Sequence, residues 1–244
     1  MTLTNAFDSV VAPYLIPLGF RRRGKIFGRY LEKDKMFIYL AYEMFSGTSN
    51  YRIWTSIVSI YNSCPIYKNR ILTIADPKCD AIQICAEEEY GFRFLQVNGL
   101  KVWEKYTPEQ FMHSLHDTFK YQYKIVCDLN QIDSLNALYK FSQRIFDKAR
   151  FRVNMQLSLF PLAFILNKKE EAYRLADEIY QLDNQYYKEE RNNPDTKYVS
   201  MLVARVEQWK KMRADIEKWN IDKYLEDIYS TAKENEEIYK KFLR

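Results

Sequence analysis

Two histidines, four cysteines and a dense run of arginines and lysines are the residues whose types could do chemistry in this chain of 244 residues. His113 and His116 stand three apart, so on a helix they share a face, and with Asp117 or Cys127 they could hold a transition metal. The zincin pattern His-Glu-x-x-His is absent, and two histidines without a third ligand at a defined spacing read more simply as structural or incidental. Cys64, Cys79 and Cys85 fall 15 and 6 residues apart and no Cys-x-x-Cys occurs, so zinc-ribbon and thioredoxin chemistry lack their short chelating unit. Buried thiols are the simpler reading for all four cysteines. Glu87-Glu88-Glu89 ends an expected strand, where alternate residues face opposite ways, and reads as a solvated edge rather than an acid–base pair. Gly-x-x-x-x-Gly-Lys, Gly-x-Gly-x-x-Gly and Gly-x-Ser-x-Gly are all missing, and six glycines leave little room for them. These patterns lean away from an enzyme and imply no cofactor. A metal- or Cys-dependent enzyme around His113, His116 and Cys127 is kept as an alternative.

The most pointed local feature is basic. Between Arg21 and Lys35 there are seven basic and two acidic residues, a local charge of +5. Arg21, Arg22, Arg23, Lys25 and Arg29 are its candidate binding residues. Phe27, Tyr30, Tyr39 and Tyr42 interleave aromatics with them, and cations alternating with stacking rings are what a single-stranded nucleic-acid surface needs. An acidic protein partner is another reading of the same cations. The bland alternative is a solvated edge hairpin whose charges pair within the chain, for example with the acidic segment near Glu87.

These residues need elements to position them. Phe7, Val10, Val11, Tyr14, Leu15 and Leu18 recur at helical spacing and predict a helix over 4–18, ended by Pro17-Leu18-Gly19. Segments rich in Ile, Val, Tyr, Phe and Trp follow, at 26–31, 36–44, 52–61, 81–88 and 92–98, with short turns between them. Short turns mean antiparallel pairing, because parallel strands need long crossovers. From Thr107-Pro108-Glu109-Gln110 onward the period is helical, with helices expected to about 129, from 133 to 148, over 153–166 and over 168–187. Arg191 to Asp195 breaks the chain. Two further amphipathic helices carry Val199, Leu202, Val206, Trp209 and Ile216 on one and Ile221, Leu225, Ile228, Ala232, Tyr239 and Phe242 on the other. They read as a packed antiparallel pair. The expected class is α+β: an N-terminal helix on an antiparallel sheet over residues 1–131, then an all-helical half over 132–244, the two sharing an interface.

The stretch Pro17-Leu18-Gly19-Phe20-Arg21-Arg22-Arg23-Gly24, followed by Phe27 and Arg29, resembles the opening of the bacterial family "domain of unknown function 4304". Trp54 to Ile60 is similar to that family's second or third strand. The resemblance covers residues 3–130 and leaves the helical half unmatched. It implies a small bacterial cytoplasmic protein, in a family some of whose members lie near toxin–immunity genes, and it brings no catalytic residues with it. It points to a binding protein.

Composition narrows the partner. The net charge is +5, from 37 basic and 32 acidic side chains, and neither half is a basic tail, with 16 basic and 13 acidic residues before Ile132. Strong nucleic-acid binders carry a larger or more segregated excess. The N-terminus has no basic lead or apolar core of a signal peptide, and the longest apolar stretch, near Leu157–Leu166, is half of the roughly 20 residues that span a bilayer. The expectation is a cytoplasmic, non-enzymatic module that binds another protein in an immunity-like or regulatory role, with no membrane. A nucleic-acid-associated protein using Arg21–Lys35 is the first alternative.

Overall fold

The structure, a computed structural model, describes residues 3–44, 51–62, 66–67, 70–71, 83–84, 108–148 and 152–243. Helix α1 (Leu3–Leu15) buries Ala6, Phe7, Val10, Val11 and Leu15, whereas Tyr14, expected on the same face, is 46% exposed, its ring meeting Phe119 and Tyr123 at the border of the core. It ends three residues earlier than expected, because Pro17 has no N–H to continue the ladder. Gly19 then adopts φ +85°, and the N–H groups of Gly19 and Phe20 donate to the carbonyls of Ile16 and Leu15. That closure swings Phe20 into the core, fully buried.

Among the described residues seven strands follow: β1 (Arg21–Arg23), β2 (Ile26–Leu31), β3 (Met36–Met44), β4 (Tyr51–Ser59), β5 (Ile66–Tyr67), β6 (Arg70–Ile71) and β7 (Gln83–Ile84). Five of them form one antiparallel sheet in the order β1-β2-β3-β4-β7, and β5 and β6 pair separately. Strands β2 and β3 have the predicted bounds, and β7 lies inside the expected 81–88 segment. The strand expected at 92–98 lies outside the described residues.

Helices α2 (Pro108–Leu129), α3 (Leu135–Lys148), α4 (Arg152–Ile165), α5 (Lys169–Glu190), α6 (Thr196–Glu217) and α7 (Asp222–Tyr239) come next among the described residues, followed by a 3-10 turn, Lys240–Phe242. The architecture is thus α+β, with a mostly helical C-terminal half. Among the described residues, no helix is long and apolar enough to cross a membrane.

Strand β3 shows how the layers meet. Met36, Ile38, Leu40 and Tyr42 point into a core shared with α1 and α2, where the Phe7 and Tyr42 rings lie 4.1 Å apart. Phe37, Tyr39 and Ala41 point the other way, as the period of two requires. That second face is covered by the end of the chain: Ala232, Tyr239 and Phe242. Tyr239 stacks on Phe37 with centroids 4.4 Å apart and planes 8° from parallel. Asn235 is buried and donates its side-chain N–H groups to the carbonyls of Ile60 and Asn62, tying α7 to the end of β4.

This corrects the expected pairing of the last two helices. Helix α6 packs along α5 instead, in antiparallel register fixed by two ion pairs: Asp183 takes both Nε and Nη2 of Arg205, and Asp177 lies 2.8 Å from Arg213. Arg213 is also held over the rings of Tyr180 and Tyr173, at 4.6 and 5.7 Å. Helix α7 leaves that pair, meets α4 through the Phe164–Tyr224 ring contact, and runs on to the sheet. The driving force is burial of the second apolar face of β2–β4.

Candidate groove at the basic edge of the sheet

The arginine run forms β1, the end strand of the sheet. All three residues are exposed, and their partners on β2 are Gly28, Phe27 and Ile26. A two-residue loop, Gly24-Lys25, closes the hairpin, and Gly24 holds φ +58° with open space where a Cβ would stand. Such an edge resists further strand addition, being three residues long and charged. Its binding capacity therefore lies in side chains.

The five candidate cations have different surroundings. Arg22 pairs with Asp8 on α1 at 2.6 Å. Burial pushes the Asp8 carboxyl above its usual range, and the Arg22 charge opposes that only in part. Arg29 donates to the Asn130 side chain at 3.1 Å, fastening β2 to the turn after α2. Lys25 lies 5.9 Å from the centre of the Tyr42 ring. Arg23 donates through Nε to the main-chain oxygen of Lys241 at 2.6 Å and lies 5.9 Å from the Phe242 ring centre. Arg21 makes no ion pair among the described residues. Further along the run, Lys35 pairs with Glu236 on α7 at 2.8 Å.

The structure brings Arg22, Arg23 and Gly24 together with Lys241 and Phe242 around a groove of about 470 Å³. Ile26 and Ile238 supply the rest of its apolar lining. Arg21, Lys25 and Arg29 do not line it. The C-terminal wall was missed in the sequence, where Tyr239-Lys240-Lys241-Phe242 reads only as a helix end. The available signal was the unbroken apolar run Phe37–Tyr42, which alternates no polar residues and so demands cover on both faces.

No model of a known protein family matches the chain, and neither a curated protein nor a solved structure matches it. The groove must be interpreted from its own chemistry.

On α7, Glu236 is a hub. It accepts from Lys35 and from the Tyr30 hydroxyl at 3.1 Å, and Lys240 lies 3.9 Å away. The Lys35 hydrogen bond holds the Glu236 carboxyl below its usual range, aided by Tyr30. The same bond raises Lys35, while burial foremost raises Tyr30.

The aromatics that interleave the basic run do not share its surface. Phe27, Tyr30, Tyr39 and Tyr42 are all buried, none more than 4% exposed, and serve the two cores. They are unavailable to stack on bases. The histidines are exposed on α2, and His113 Nε2 lies 3.3 Å from Asp117. Cys127 is half-buried, and it stands eleven residues beyond His116, about 16 Å along the helix axis at the usual rise. Those three residues cannot chelate one ion. Among the described residues, no group of three or more His, Cys, Asp or Glu is placed to hold a metal. Cys64, Cys79, Cys85 and Glu87–Glu89 lie outside the described residues.

Proposed function

We propose that the chain is a non-enzymatic binding module that uses the groove between β1 and the C-terminal turn to hold an acidic element of another protein. The observation that carries this is the composition of the groove: Arg22, Arg23 and Lys241 over Ile26, Ile238 and Phe242. Cations beside apolar side chains are the pairing found where protein interfaces concentrate arginine and aromatic residues. An immunity-like or regulatory role in the bacterial cytoplasm belongs to this reading, in keeping with the likeness of Gly19–Arg29 to domain of unknown function 4304. The nucleic-acid alternative retains the cations but loses its stacking rings to the core.

The test is capture of the tagged protein from its host's lysate with and without nuclease, beside the Arg23→Glu Lys241→Glu variant. An acidic protein retained at stoichiometric level after nuclease, and lost from the variant, is the expected result. Partners that vanish with nuclease would transfer the groove to nucleic acid. A protein partner retained equally by the variant would remove the groove from the account.

A further inference from the structure

We propose that Arg23 is the residue that reads the partner's carboxylate, and that the C-terminal turn is the device that presets it. The proposal rests on the reading that the groove takes an acidic element.

The cations of the run divide by what they already hold. Arg22 is engaged by Asp8, Arg29 by Asn130 and Lys35 by Glu236. Arg23 is held too, but through Nε alone: that atom donates to the Lys241 carbonyl, and the guanidinium lies near the Phe242 ring. Its two Nη nitrogens have no acceptor among the described residues. A guanidinium anchored at Nε with both Nη groups available is a planar fork ready for a carboxylate. Holding an arginine before its ligand arrives removes most of the rotamer entropy that binding would otherwise cost. Lys241, beside it in the groove, adds a second positive charge without fork geometry.

The anchor and the reader lie 218 positions apart in sequence. The reader is therefore set only while the turn Lys240–Phe242 is seated, which depends on Tyr239 against Phe37 and Asn235 against β4. Arg21, on the same exposed strand, has no such anchor among the described residues and serves as the internal control.

The experiment uses the full chain and a fluorescein-labelled peptide of repeated Glu-Glu-Leu, followed by fluorescence anisotropy. Saturable binding is expected, weakened about tenfold by Arg23→Lys and less than about twofold by Arg21→Lys, since both preserve charge and only one removes an anchored fork. Phe242→Ala should weaken binding while Arg23 is retained, with its circular dichroism compared to the parent; if it unfolds, the two lysine variants decide alone. Equal effects of Arg23→Lys and Arg21→Lys would overturn the preset reader and leave the acidic-partner reading standing. Absence of saturable binding would overturn both.

Discussion

At the residue scale, Gly28 and Asn235 carry more than their sizes suggest. A Cβ on Gly28 would lie 2.5 Å from the Phe37 ring and 2.7 Å from the Phe242 ring, both inside the second core. Gly28→Ala should therefore cost about 1–3 kcal/mol, the range for overpacking a filled core, read as a lower denaturant midpoint. Asn235→Ala leaves the carbonyls of Ile60 and Asn62 without that donor and should cost about 1–3 kcal/mol by the same measurement. Neither role is legible in sequence. A glycine inside a strand signals a close approach but does not name the approaching ring, and an asparagine on an amphipathic helix looks solvated until the helix docks. By contrast, the closure at Gly19 was legible, because Pro17 and Gly19 act on their own neighbours.

At the element scale, α7 is fastened to the sheet by an ion pair whose strength depends on pH. Glu236 titrates below its ordinary value of 4.5, chiefly through its Lys35 hydrogen bond. A carboxylate lowered by folding contributes stability above its unfolded value, and loses it as pH falls through the folded one. Lys35 is the mirror case: raised by folding, it contributes below its ordinary 10.5 and loses that at higher pH. Glu236→Gln should therefore lower the melting temperature at pH 7, by an amount worth about 1 kcal/mol or less for a partly solvated pair. The difference from wild type should shrink as pH falls from about 5 to about 3, and a constant difference across that window would remove the pair from the account. Elements themselves were readable where the code is local. The bounds of β2 and β3 come from short turns between β-branched and aromatic runs, and α2 starts at Pro108, as proline's preference for the first helical position implies. The partner of α7 was not readable, because an apolar stripe states that a helix must be covered and not by what.

At the scale of the whole molecule, the end of the chain completes what the beginning starts. The sheet is clad on one face by α1 and α2 and on the other by residues 232–242, so both halves contribute to the second core. Ending the chain after Glu234 would remove Tyr239 and Phe242 from Phe37 and expose Ile26, Tyr30, Tyr39 and Val58. Such a truncated chain should aggregate or bind a hydrophobic dye, whereas the full chain should not. The candidate site follows the same logic. Half of it, Arg22 and Arg23 with Gly24, stood out in sequence within a charge cluster. The other half is a helix end that only the fold brings alongside, and the rings that suggested nucleic acid turned out to belong to the interior.

The central claim, that the groove is where a partner docks, is tested most directly by placing a photo-reactive amino acid at Lys241 and, separately, at Met201. Met201 is 46% exposed on α6 and belongs to no part of the groove. Irradiation in host cells should link the Lys241 derivative to one acidic protein and leave the Met201 derivative unlinked. The same protein linked from Met201 and not from Lys241 would contradict the account.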